Sequence, residues 1–259
     1  MKDGTLVFPV EATKKGEAPN DVKTVSLIIH NSKDTAAGWK LSKEAPDGGC
    51  GDPSVVEWGG KDKKLMMMTA CADGRRRLYE SGDKGNSWTE ALGTLSRVWG
   101  NKHGEEVKAV RSGFITATID GVENNRNVML VTLPVYPEKD SKKGTDNGKG
   151  KLHLWLTDNT HIVDIGPVSG EEDDVTASSL LYKSGRSGDN VRKEELVALY
   201  ERKNNDDGKP SLGMVSVRLT AQLQRVREVL ATWKKADEAV SKLCPSSAAK
   251  NPSTGNGCG

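Results

Sequence analysis

The chain has 259 residues, 29% of them charged and 35% hydrophobic, so it can bury a sizeable core, and it lacks the ~18-residue apolar run that a membrane-crossing helix needs. Thirty-eight basic side chains face 36 acidic ones, and a formal charge of +2 gives no electrostatic argument for nucleic-acid binding. Twenty-eight glycines against two phenylalanines point to a turn-rich all-β repeat architecture rather than a helical bundle.

Met1 to Leu6 has no charged segment leading into an apolar one, so no signal peptide is read there. Either the protein is cytosolic or its native N-terminus lies upstream. Up to about residue 215 the sequence is a series of short apolar runs punctuated by Gly, Asn, Asp and Lys, the pattern of β-meanders. The expected strands are Thr5 to Val10, Thr24 to His30, Ser54 to Trp58, Lys64 to Ala70, Arg76 to Ser81, Gly113 to Ile119, Val128 to Leu133, Lys151 to Thr157, Ser178 to Tyr182, Leu196 to Glu201 and Met214 to Leu219. Glu138 to Lys151 and Ser184 to Lys193 are polar tracts and are expected as solvated loops.

The period then changes. Leu219, Leu223, Val226, Leu230, Trp233 and Val240 fall at helical spacing, which predicts one amphipathic helix over 219–244, ended by Pro245. Residues 245–259 have the composition of a linker. Cys50 and Cys71 read as isolated, whereas Cys244 and Cys258 bracket the linker, and an oxidising compartment would allow them to pair. No Cys-x-x-Cys pair or His/Cys cluster occurs, which argues against a zinc site. No other metal or cofactor is expected.

A repeat sharpens the fold. The run SGDKGNSW, Ser81 to Trp88, follows one expected strand and precedes another, TEALGT. Forty-nine residues earlier SKDTAAGW, Ser32 to Trp39, repeats it with Ala36 in the glycine place, a period that suits a four-stranded blade of about 50 residues. In such a turn the Ser and Asp side chains (Ser81 and Asp83; Ser32 and Asp34) bond back to backbone N–H groups. Gly85 permits a left-handed backbone, and Trp88 or Trp39 anchors the turn on its blade. The motif is structural, because Asp83 is consumed inside its own turn.

These turns resemble the Asp boxes of sialidase-type β-propellers. With TEALGTLSRVWGN (Thr89 to Asn101), LHLWLTDN (Leu152 to Asn159) and the helix with LATWK and SKLC, nearly the whole chain is similar to the trypanosomal trans-sialidase superfamily. The resemblance implies an all-β fold made of part of a six-bladed propeller: about four blades over residues 1–218, a connecting helix over 219–244, and a linker towards a lectin-like domain. It also implies that a first half, with one clamp arginine and the acid/base aspartate, lies outside this sequence.

Sialidases of this type hold the substrate carboxylate with three arginines and attack with a tyrosine whose proton passes to a neighbouring carboxylate. By resemblance, Asp52 in GGCGDPSVVEW stands at the activating carboxylate position, one methylene shorter than the usual glutamate. Cys71 falls where a clamp arginine is expected; if the local shortening lies elsewhere, Arg75 is the candidate, against three solvated strand arginines at 75–77. The third arginine's region, Glu138 to Lys151, has neither Trp nor Arg. Ala177 stands where the nucleophilic tyrosine precedes the Ser178–Ser179 pair, and a methyl group cannot attack carbon. Tyr182 and Tyr200 lie in apolar strand patterns and are expected to pack the blades, while Glu201 matches a glutamate that supports the absent arginine.

Three readings are open: a non-catalytic surface glycoprotein of this superfamily, acting in adhesion and as an antigen; an active exo-α-sialidase or trans-sialidase; or a product without function. The first implies host cell-surface or extracellular-matrix glycoconjugates as partners, and a surface or secreted location for the full-length protein. A partial propeller should also expose apolar faces on its first and last sheets and associate.

Overall fold

The computed structural model describes residues 1, 3–16, 22–32, 35–59, 63–93, 95–119, 126–137, 148–187, 190–191, 194–204 and 211–243. Among these residues, four antiparallel sheets of three or four strands follow one another. The first contains β1 (Leu6–Lys15), β2 (Val22–Asn31) and β3 (Trp39–Leu41). The second is a four-stranded meander of β4 (Cys50–Trp58), β5 (Lys64–Cys71), β6 (Arg76–Ser81) and β7 (Thr89–Glu90), followed by a small ribbon of β8 (Lys102–His103) and β9 (Glu106–Val107). The third is a meander of β10 (Gly113–Thr118), β11 (Asn127–Val135), β12 (Lys151–Thr157) and β13 (Ile162–Pro167). The fourth joins β14 (Val175–Lys183) to β17 (Glu195–Asn204) and β18 (Ser211–Arg218). A ribbon of β15 (Arg186–Ser187) and β16 (Asn190–Val191) intervenes, and α1 (Thr220–Leu243) closes the described chain.

The sheets stack face to face, which explains the most apolar strand. In β5 successive side chains point to opposite faces. Leu65 and Met67 therefore join Ile28, Tyr79 and Trp88 in a core between the first and second sheets. Met66 and Met68 join Val56, Leu78, Phe114, Met129 and Val131 in a core between the second and third. All three methionines are at most 2% exposed. β11 divides in the same way: Met129 and Val131 serve the second core, while Val128 and Leu130 serve a third, shared with the fourth sheet and the helix. Each such side chain contributes roughly 1.5–3 kcal/mol through burial.

The helix buries Leu223, Val226, Leu230 and Trp233, whose spacing places them on one stripe against the third core. Trp233 contacts the His161 ring, stacked at 4.9 Å, and the Arg126 guanidinium, 5.7 Å from the ring centre. The expected stripe overreaches at its end: Val240 is exposed, because the last turns of α1 run past the sheets. Pro245, Cys244 and Cys258 lie outside the described residues, and the pairing of those cysteines lies there with them. Two further expectations need correction. TEALGT forms a strand only at Thr89–Glu90, and the Ser184 to Lys193 tract contains the β15–β16 ribbon. Asp164 and the positive-φ Gly166 interrupt the apolar pattern of β13, which was not expected as a strand.

The Ser81 to Trp88 turn is held by its own side chains. Asp83 accepts the Ser87 N–H at 2.9 Å and the Ser87 hydroxyl, Ser81 Oγ accepts the Gly85 N–H at 2.8 Å, and Gly85 sits at φ 85°. A Cβ on Gly85 would lie 2.5 Å from the Ser42 Cβ, so the turn docks tightly on the segment after β3. Trp88 Nε1 donates to the Lys43 carbonyl at 3.1 Å from a buried position. The earlier repeat differs. Its backbone makes a 3₁₀ turn over Ala36–Gly38, and Trp39 is 42% exposed against Phe8 on the outer face, so it does not anchor a buried turn. The Ser32 hydroxyl accepts from Thr5 and from Lys84 of the second turn. Asp34 lies outside the described residues.

Exposed large apolar side chains concentrate on the two end sheets: Leu6, Phe8, Trp39 and Leu41 on the first, Leu181, Leu199, Leu212 and Met214 on the last. Sedimentation velocity on the 259-residue chain is expected to show concentration-dependent association, reduced by Leu212→Lys with Met214→Lys; a monodisperse monomer would contradict this. A second expectation concerns acid. The hydrogen bonds of its turn hold the Asp83 carboxyl down at about 2, against roughly 3.9 in an unfolded chain, so its contribution is present above about pH 4 and is lost as pH falls through 2. Asp83→Ala should lower the thermal midpoint at pH 7, with the gap to the unaltered chain closing towards pH 2; a pH-independent gap would refute the assignment.

Candidate functional site

The first strands of the four sheets, β1, β4, β10 and β14, lie side by side, so the residues at their heads converge. At the head of β4 the pairing with β5 shifts between Gly51 and Ser54, and Asp52 occupies this irregularity at φ 48°. Bulges of this kind re-aim a side chain out of the ladder. The Asp52 N–H donates to Glu11 Oε2 of β1 at 2.8 Å. Gly51 lies close beside it: a Cβ there would sit 2.4 Å from the same Glu11 oxygen, so a larger residue would displace the Glu11 carboxylate. Burial, then the Glu11 charge, raise the Asp52 carboxyl above the usual range, while Arg76 and Arg111 pull it the other way.

Arg76 corrects the expectation of three solvated arginines. Arg75, just before β6, is exposed and Arg77 lies on the opposite face of β6 from Arg76, which is 2% exposed. It stands opposite Ala70 on β5, which in turn stands opposite Gly51 on β4, and this row of small residues leaves room for the long side chain. Its Nη2 donates to the Val110 carbonyl at 3.2 Å, while its Nε is buried without a hydrogen-bond partner among the described residues. Burial lowers the guanidinium to about 10, and the nearby Asp52 and Tyr136 oppose that shift. Arg77 is bound instead to Asp47 and Asp73, and Arg75 is exposed.

β14 repeats the device of β4. Its register against β17 shifts between Val175 and Ser178, so Thr176 and Ala177 lie at the irregularity. Thr176 Oγ1 donates to Glu201 at 3.3 Å, and Ala177 is half-buried. The next residue, Ser178, donates its N–H to the Arg111 carbonyl at 2.9 Å, tying the head of β14 to the segment before β10. Asp52, Arg111 and Ala177 thus occupy corresponding heads of neighbouring inner strands.

Cys71 does not present a thiol to this site. It is joined to Cys50, directly opposite on β4, by a disulfide. Both are at most 2% exposed, and Cys50 Sγ lies 3.7 Å from the Tyr79 hydroxyl, on the face away from Arg76. The two cysteines read as isolated because they are 21 residues apart and only the β4–β5 register aligns them. The side chain that shares the Arg76 row is Ala70.

The four tyrosines have separate engagements. Tyr79 donates to Asp47 at 2.8 Å and Tyr200 to Asp173 at 2.7 Å; burial first, then Asp173, push the Tyr200 phenol up to about 12. Tyr182 donates to the Thr118 carbonyl at 3.0 Å, towards the other end of β14. Tyr136 was not anticipated: it stacks on His103 at 4.6 Å, and a Cβ on Gly150 would meet its ring at 2.6 Å. Burial raises its phenol, with Asp174 adding to the shift and Arg76 opposing it. Of these additions only Arg76 had a signal in sequence, the alternation of a strand. No group of three His, Cys, Asp or Glu side chains among the described residues could hold a metal ion.

The model of the BNR repeat-like domain matches residues 1–201. Among curated proteins, a sialidase of Trypanosoma cruzi is 35% identical over 90% of this chain, and Sialidase 85-1.1 of the same organism is 36% identical over 94%. The chain belongs to the BNR repeat-like family and, within it, to the trypanosomal sialidase superfamily. It spans 17% and 29% of the lengths of those two relatives. Trypanosoma rangeli sialidase in complex with 2,3-difluorosialic acid, as the covalent intermediate, superposes with a TM-score of 0.73 at 32% identity, covering 99% of this chain and 35% of that one. A mutant of the same sialidase displaying trans-sialidase activity gives 0.71 at 31%, over 96% and 35%. These neighbours are sialidase propellers, so the four sheets are part of a propeller of that type, followed by the helix.

The bridge is directly testable. Peptide mapping without reductant should recover Cys50 linked to Cys71, and Cys71→Ser should cost about 3 kcal/mol of unfolding free energy in the chain-entropy model. A free Cys71 that reacts with a thiol reagent before unfolding would contradict the assignment.

Proposed function

We propose that the chain is part of a non-hydrolytic surface glycoprotein of the trypanosomal sialidase superfamily, which uses its propeller to engage host cell-surface or matrix glycoconjugates in adhesion and is displayed there as an antigen. The observation that carries this reading is Ala177 at the head of β14, beside the Arg111 segment and across the inner strands from Asp52. A retaining attack needs a nucleophile and a proton acceptor within hydrogen-bond reach of each other. Asp52 keeps the acceptor, shortened by one methylene relative to glutamate. The methyl group of Ala177 supplies no nucleophile, and the Tyr136 and Tyr200 phenols are raised, the direction that makes attack harder.

Binding is a different requirement from turnover. Arg76 and Arg111 place positive charge near Asp52, so the same mouth accommodates an acidic sugar without cleaving it. The buried Cys50–Cys71 disulfide supports folding in an oxidising compartment, in line with display at the surface or secretion.

A fluorogenic sialoside should be released no faster than in a protein-free blank. Clear turnover that Tyr136→Phe or Tyr200→Phe abolishes would overturn the reading and favour an active exo-sialidase. Weak binding of a sialylated trisaccharide without turnover would agree with it.

A further inference from the structure

The inner strands have a second end. Asp52 lies near the start of β4 and Trp58 at its finish, six residues and about 20 Å further along an extended chain. The finish of β10 lies beside it, and between the two strand ends is a cleft of about 130 Å³ lined by Trp58, Glu57, Lys63, Thr116, Thr118 and Asn127. It shares no residue with the Asp52 mouth, so what it binds does not depend on whether that mouth is active.

The lining has a specific chemistry. Trp58 is half-buried and packs against the core between the second and third sheets, which fixes an indole at the cleft wall. Thr116 and Thr118 are two residues apart on one strand, so both project to one face, and both are exposed. Thr118 Oγ1 donates to the Asn127 side-chain oxygen at 2.7 Å, which fixes the hydroxyl's proton and directs its lone pairs elsewhere. Lys63 and Glu57 face one another at 3.8 Å, so the charged pair is self-compensated and the cleft favours neither an anion nor a cation. A ring with an apolar C–H face to set against an indole, and hydroxyls around its edge to exchange hydrogen bonds with hydroxyl and amide groups, meets each of these features.

We propose that this cleft binds a terminal neutral hexopyranose of a glycan, at the end of the propeller opposite the Asp52 mouth. The test is saturation-transfer NMR on the 259-residue chain with methyl β-D-glucopyranoside and methyl β-D-galactopyranoside at millimolar concentration. Transfer is expected to the ring C–H protons of at least one of them, and to vanish in Trp58→Ala. Because Trp58 also packs in the core, Thr116→Val, which changes only an exposed hydroxyl, is the second arm and should weaken binding roughly three- to tenfold. Absence of transfer to both glycosides overturns the proposal, as does transfer that persists unchanged in both variants, or transfer that Asp52→Ala abolishes. Neither probe carries a carboxylate, so failure here is distinguishable from failure of the reading given to the Asp52 mouth.

Discussion

On β5, Leu65 and Met67 pack to one side and Met66 and Met68 to the other, and both destinations are cores between stacked sheets. That two-sided demand is the constraint from which the architecture follows. A strand buried on both faces cannot carry the polar alternation of a surface sheet, so after their first residues β5 and β11 read as near-continuous apolar runs, interrupted only by the buried Thr69 and Thr132. Stacking also brings the first strand of each sheet beside the first strand of the next, and the helix fills the third core with Leu223, Val226, Leu230 and Trp233. The end sheets have one partner each, which is why Leu6, Phe8, Leu212 and Met214 remain exposed.

The site is built where this regularity breaks. β4 and β14 each lose register at their heads, leaving Asp52 and Ala177 at the irregularities. Between them the segment around Arg111 is held on both sides, through the Ser54 hydroxyl to the Ser112 carbonyl at 3.1 Å and the Ser178 N–H to the Arg111 carbonyl. Asp52 brings a carboxylate to the head of β4 and Arg76 of β6 a buried guanidinium, while Ala177, the position expected to attack, carries a methyl group.

Much of this is legible in the sequence, and the rest fails for identifiable reasons. The strands of the meanders, the start of the helix and the self-contained turn at Asp83 are encoded locally, in alternation, helical period and side chains that bond to their own backbone. The Cys50–Cys71 bridge is not, because it depends on the register of a hairpin that spans 21 residues. Arg76 was hidden in a charged triplet whose members look alike until alternation assigns them to different faces. Trp39 repeats the position of Trp88 in sequence, but with Ala36 in place of the glycine the local turn changes and the indole lies on an outer face. Cofactor and metal chemistry found no pattern to rest on in the sequence.

The central claim is that the heads of the inner strands keep a binding frame that lacks a nucleophile. Trypanosoma rangeli sialidase was captured as a covalent intermediate with 2,3-difluorosialic acid. Intact mass spectrometry of the present chain after prolonged incubation with the same reagent tests the claim most directly. The account predicts an unchanged mass; an adduct of one glycosyl unit that maps to a tyrosine would contradict it.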